Sequence, residues 1–143
     1  MAFQNFALYP HMKAYENIAS PLRAKNKNMP ENEIHEKVNE IANLLKIGHV
    51  LNQFPKELSN GQKQRTSLAR SLVDKPSVVL LDDPLRNVDA KIRFEMRLEL
   101  PKVLKEFNTT VIYITQDFRE AMALGDRIAV LYDGKFNLSL IHI

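Results

Sequence analysis

Two short stretches hold residue types from which a site could be built. In "VVLLDDPLRNVD", Val78 to Asp89, four apolar residues lead into adjacent carboxylates, Asp82 and Asp83, and then a third acid, Asp89. A carboxylate at a strand's end can hold a water-coated Mg²⁺. Its neighbour, facing the other way from an extended backbone, can position or deprotonate an attacking water. The plainer reading is a polar strand exit into a turn. In "LSNGQ", Leu58 to Gln62, a hydroxyl, an amide, a glycine and another amide gather where a helix should begin. Free N–H groups and the positive end of the helix dipole suit an anion such as a phosphate there, and Gly61 admits it close to the backbone. The plainer reading is a simple N-cap.

Other chemistries find less to work with. The chain has no cysteine, hence no disulfide, thiolate nucleophile or sulfur-ligated metal, and its four histidines are not spaced as zinc ligands. With 143 residues, 45% apolar and 26% charged, it has the composition of one globular domain with a real core. No apolar run approaches the ~20 residues of a membrane span. A net charge of +3 without a basic block gives no reason to expect a nucleic-acid partner.

The elements that must position the two stretches follow from periodicity. From Pro30, "PENEIHEKVNEIANLLKIG" spaces Ile34, Val38, Ile41 and Leu45 as one face of a helix ending before Gly48. "LRAKNKNMP" before it reads as a loop or a frayed helix end. A second helix starts near Asn60, capped by Ser59, with Leu68, Leu72 and Val73 on one face. "SVVLLD" reads as a strand buried on both faces, as in parallel sheets, with Asp82 at its carboxyl end. The segment from Ala90 to about Phe107 reads as a charged helix that Pro101 should kink or divide. "TTVIYIT" is the next buried strand, "DFREAMAL" a short helix closed by Gly125, and "RIAVLY" a third strand before an Asp133–Gly134 turn. Strands alternating with helices predict a parallel sheet whose ligands bind at the strands' carboxyl ends.

In series, "LSNGQKQRTSLARSLVDKPSVVLLDDPLRNVDA" closely resembles the signature and Walker B region of ATP-binding cassette (ABC) ATPases: LSGGQ-x-Q-R, a helix, four apolar residues, D-E-P and a D-loop S-x-L-D. "FQNFALYPHMKAYENI" resembles their Q-loop and the segment after it, and "VIYITQDFREAMALGDRIAVLYDGK" their switch-loop region. The wording is most similar to ATPases of carbohydrate and polyol importers. The resemblance implies an α/β fold: part of a P-loop NTPase (RecA-like) parallel sheet with an ABC-type α-helical subdomain. Residues 1–9 would be the Q-loop region, 10–75 the helical subdomain with the signature, 76–136 the RecA-like part, and 137–143 a non-native tail.

The resemblance also assigns roles, with ATP and Mg²⁺ as cofactors. Gln4 would sense Mg²⁺ and the attacking water, Asp82 would hold Mg²⁺ through water, and Asp83 would stand at the catalytic base position. Gln116 would occupy the switch position. Ser59, Asn60, Gly61 and Gln62 would meet the γ-phosphate of ATP held by the opposite subunit of a head-to-tail homo- or heterodimer, with Asp89 at that interface. The aromatic-rich segment Phe6 to Tyr15 would meet a transmembrane permease, its alternative being core packing. A substrate-binding protein would be an indirect partner, and the location the cytoplasmic face of the membrane.

Departures from the family pattern qualify the activity. The phosphate-binding loop G-x-x-x-x-G-K-[ST] does not occur, since none of the four glycines precedes Gly48. The chain is therefore expected to begin after that loop and to bind no Mg²⁺-ATP alone. Asp83 in place of Glu retracts the carboxylate by on the order of 1 Å, which can cost roughly 10²-fold in rate. Gln116 in place of His donates a hydrogen bond but carries no charge. Asn60 replaces the signature's first glycine. "LSLIHI" at the end resembles translated sequencing adapter rather than the family's continuation, its alternative being a genuine apolar strand. Two functions compete: an importer ATPase, and a non-hydrolysing partner that completes a second ATPase's site. A DNA-repair ATPase would need a long coiled coil between Gln4 and Leu58, and no sustained heptads occur there.

Overall fold

The computed structural model describes residues 7–25, 28–86, 90–107 and 109–142. Three helices form the first part: α1 (Ala14–Lys25), α2 (Glu31–Leu44) and α3 (Asn60–Leu72). All four residues of the expected apolar stripe, Ile34, Val38, Ile41 and Leu45, are buried, and they pack with Ile18 and Leu22 of α1 and Leu68 and Leu72 of α3 into one core. Two short 3₁₀ turns, Gly48–Val50 and Pro55–Glu57, carry the chain from α2 to α3.

α1 is an addition to the elements legible in the sequence. Pro21 lies inside it and removes a backbone donor, and the Ser20 hydroxyl takes the carbonyl of Asn17 instead (2.8 Å). Asn17 itself is fully buried. Its side chain accepts from the Tyr9 amide (2.7 Å) and donates toward the carbonyls of Tyr9, Met12 and Lys13 (2.9–3.1 Å), fixing the loop that leads into the helix.

In the second part β1 (Val78–Asp82) and β2 (Thr110–Ile114) pair in parallel, joined through α4 (Ala90–Glu106). α5 (Phe118–Leu124) runs between the Asp117 cap and Gly125 as expected. β3 (Arg127–Tyr132) and β4 (Lys135–His142) follow.

Three expectations need correction. β1 and β2 are buried on one face only: Val79 and Leu81 face the core, whereas Val78, Leu80, Ile112 and Ile114 are 41–56% exposed. Among the described residues nothing covers that second face, so an unbroken apolar run here marks a capacity for burial and not burial itself. Secondly, β3 does not join the parallel pair. Asp133 (φ 48°) and Gly134 (φ 70°) both take the left-handed conformation of a tight hairpin, and β3 pairs antiparallel with β4. Thirdly, of the two outcomes expected at Pro101, a kink or a division, the second does not occur: α4 is one helix, with Met96, Leu100 and Val103 packed into the core on both sides of the proline.

Ion pairs join the two parts, with Arg65 of α3 meeting Glu95 of α4 (3.3 Å) and Lys46 bonding Glu99.

Candidate functional site

The parallel pair delivers two segments to one place. β1 ends at Asp82, opposite Ile114 at the end of β2, and the next amide, Asp83 N–H, still donates to the Ile114 carbonyl (2.8 Å). The backbone turns left-handed at Asp83 (φ 43°), a conformation that Asp and Asn adopt more readily than most residues. That turn sends the Asp83 carboxyl into a cleft of about 500 Å³. Gln116, two residues beyond β2, lines the same cleft together with Arg86, Arg93 and residues 117–120.

Asp83 is only 9% exposed, and burial pushes its pKa above the ordinary carboxylate range. Arg86, whose guanidinium stands 3.8 Å from it, pulls the value down, and the charges of Glu120 and Asp82 push it further up. Arg93 lowers it as well, so Asp83 is a carboxylate held away from water with no close cationic partner nearer than Arg86, which suits a group that accepts a proton.

Asp82 is half-buried at the strand's end. Among the described residues no group of three or more His, Cys, Asp or Glu could cage a metal ion. The donor set fits a Mg²⁺ that keeps most of its waters and takes its remaining ligands from a phosphate, the usual manner for that ion.

The second stretch lies elsewhere. Ser59 caps α3 in a capping box: its hydroxyl accepts from the Gln62 amide (3.3 Å), and the Gln62 side chain accepts from the Ser59 amide (2.8 Å). Ser59 and Asn60 are exposed, Gln62 is half-buried and Gly61 is buried. None of the four lines the Asp83 cleft. The simple-cap reading of Ser59 therefore holds, alongside a helix N-terminus open to an outside anion.

Gln4 and Asp89 lie outside the described residues, as does Phe6. The described remainder of the aromatic segment is mixed. Tyr9 is 45% exposed beneath the Arg70 guanidinium (5.2 Å) and pairs with the His11 ring, while Leu8 and Tyr15 pack against the core.

Several residues at the cleft carry no signal strong enough to find from sequence. Glu120, 2% exposed, accepts from the Thr115 and Tyr113 hydroxyls (2.9 and 3.2 Å) and meets Arg97 (3.4 Å) and Arg93 (3.9 Å) of α4. Burial and the Glu120 charge drive the Tyr113 hydroxyl's pKa far up. Asp117 caps α5 and also bonds Arg97. Against the burial that raises it, the Arg119 and Glu120 amides and the Arg97 guanidinium hold Asp117 below the usual carboxylate range. The spacing of Asp117 and Glu120 matches a capping box, but the Asp117 amide donates to Thr115 Oγ1 instead (3.0 Å), which frees Glu120 to turn inward.

Two parallel strands that end in a carboxylate cleft, beside a helical unit bearing a capped anion-ready helix, fit part of an α/β P-loop NTPase domain. The ABC transporter family profile matches residues 1–86, and the chain belongs to that family. It is 52% identical over 134 residues to the trehalose/maltose import ATP-binding protein MalK of Thermococcus litoralis, covering 94% of this chain and 36% of that protein. It is 48% identical to the sn-glycerol-3-phosphate import ATP-binding protein UgpC of Psychromonas ingrahamii and 50% identical to the osmoprotective compounds uptake protein GgtA of Synechocystis, again over 94% of this chain. The chain spans little more than a third of the length of these relatives. Its fold is similar to the ATP-binding cassette MJ0796, solved as a dimer in a post-hydrolysis state with ADP and Pi: TM-score 0.82 at 32% identity, over 96% of this chain and 60% of that one.

Proposed function

We propose that the chain is the signature and Walker B portion of an ATP-binding subunit that hydrolyses ATP to drive an importer of a sugar, a polyol or a related small solute. The observation that carries this reading is the cleft, where Asp83 and Gln116 arrive from separate strands while Ser59 to Gln62 stand on a different surface. Such a division suits a site completed by a second subunit, head to tail, and the dimeric MJ0796 cassette supports that arrangement.

In this scheme Asp82 would hold Mg²⁺, which would supply charge neutralisation to the bound phosphates. Asp83 orients the attacking water and accepts its proton; its desolvated position raises its affinity for that proton. Gln116 donates an amide hydrogen bond toward the γ-phosphate from the same cleft. Ser59, Gly61 and Gln62 present the N-terminus of α3 to the partner's γ-phosphate, with Asp89 at the interface and Gln4 near the attacking water. The exposed Tyr9 and His11 give the Phe6–Tyr15 segment a face for the permease, so the subunit would sit on the membrane's cytoplasmic side. No helix among the described residues is long and apolar enough to cross it.

The test is steady-state ATP turnover by the full-length subunit. Asp83→Asn should lower kcat by about 10²-fold or more, as removal of a general base does, while ATP still binds. Turnover unaffected by Asp83→Asn would refute the assignment. The short Asp83 side chain and the uncharged Gln116 motivate a second reading, the slow or silent partner subunit, which the relatives' names do not favour. Asp83→Glu with Gln116→His should then raise turnover, and an unchanged rate would dispose of it.

A further inference from the structure

The Glu120 cluster adjoins Gln116 in the cleft and has no part in the proposed reaction. Burying the Glu120 carboxylate is costly unless it is paired and hydrogen-bonded, as it is here. Apolar side chains could seal α4 against β2 and α5 at lower cost, so the cluster's value lies in the one geometry it enforces.

That geometry is centred on the residues flanking Gln116. On the near side, Thr115 Oγ1 donates to Glu120 (2.9 Å) and accepts from the Asp117 amide (3.0 Å). On the far side, the Asp117 carboxylate is tied both to the first amides of α5 and to Arg97. Arg97 closes the ring by reaching Glu120 (3.4 Å), and its side chain is only 18% exposed. The two neighbours of Gln116 are thus pinned to one buried carboxylate and one α4 guanidinium, while Gln116 itself is exposed to the cleft.

We propose that Glu120 and Arg97 are positioning residues which, through Thr115 and Asp117, hold the Gln116 amide in the cleft with Asp83. This rests on the reading of Gln116 as a phosphate contact, but its structural half can be tested separately. α4 begins directly after Asp89, so the same clamp joins the Gln116 turn to the helix that follows the expected interface acid.

The experiment compares Glu120→Gln and the milder Thr115→Val in the full-length subunit, each alone and in a Gln116→Ala background. If the clamp acts through Gln116, kcat falls about 10-fold with KM changed by less than about two-fold, and the loss disappears in the Gln116→Ala background. An equal loss in both backgrounds, or a rise in KM at constant kcat, overturns the proposal. Hydrogen exchange gives a readout that needs no turnover. The Asp117 amide should exchange about ten-fold faster or more in both variants, while the Asp83 amide, bonded to Ile114 across the strands, keeps its protection. Unchanged Asp117 exchange, or equal loss of protection at Asp83, overturns the clamp. A wild-type subunit without ATP turnover would sink the function reading, and exchange would still decide the clamp.

Discussion

The helical part and the strand part handle their apolar side chains differently. Between residues 14 and 73 no large apolar side chain of the described structure is exposed, and Ile18, Leu22, Ile41 and Leu72 are sealed within one three-helix core. From Val78 onward the pattern reverses on one side, where Val78, Leu80, Ile112, Ile114 and most of β3 face water. A helix satisfies its backbone internally and needs only one buried stripe, so three helices close around each other. A strand of continuous apolar residues needs cover on both faces, and two parallel strands with one helix layer supply half of it. The site is divided along the same line: the capped N-terminus of α3 belongs to the closed part, and the Asp83 cleft to the open one.

The sharpest way to break this contrast is to empty the helical core. Ile18→Ala should cost about 2–5 kcal/mol in denaturant unfolding, and a cost under about 1 kcal/mol would show that the three helices do not form the stability core. Next comes Asn17→Leu, which removes the side-chain partner of the Tyr9 amide and the Met12 carbonyl, while the Tyr9 and Lys13 carbonyls keep the Met12 and Asn17 amides. A loss of about 1–3 kcal/mol is expected, together with faster exchange at Tyr9.

A smaller effect of opposite sign is expected at the cleft. Folding raises the Asp83 pKa, so its charge destabilises the fold once pH rises through that raised value, and the penalty is absent in acid. Asp83→Asn, which also suits the left-handed backbone, should therefore raise the melting temperature at pH 7, with the gain shrinking as pH falls through the carboxylate range. A gain independent of pH would contradict the burial argument. The least effect is expected at Ile112→Thr, within about 0.5 kcal/mol because the side chain is already half in water, with better solubility as its readout.

Much of this was legible in the sequence, for reasons that differ by element. α2 and α3 announce themselves by periodicity and by the Ser59 cap, and Asp133–Gly134 by its turn chemistry. α1 is hidden because Pro21 and buried Asn17 break the apolar pattern, and their compensation comes from Ser20 and from the loop at residues 9–13. The apolar runs of β1 and β2 overstate their burial, because such a run states what a strand tolerates and not what lies against it. At the site, Asp83 and Gln116 could be read as chemistry placed at strand ends. Glu120 and Arg97 could not, because their pairing spans 23 residues between two helices and neither position departs from an ordinary charged helix surface.

In the proposed function the two parts carry complementary halves of a site shared between subunits. Mixing a full-length subunit bearing Asp83→Asn with one bearing Ser59→Arg tests it directly, because only a mixed dimer holds one site with both halves intact. ATP turnover is expected to be lost in each variant alone and to reappear in the mixture. A mixture no more active than its separate components would contradict the account.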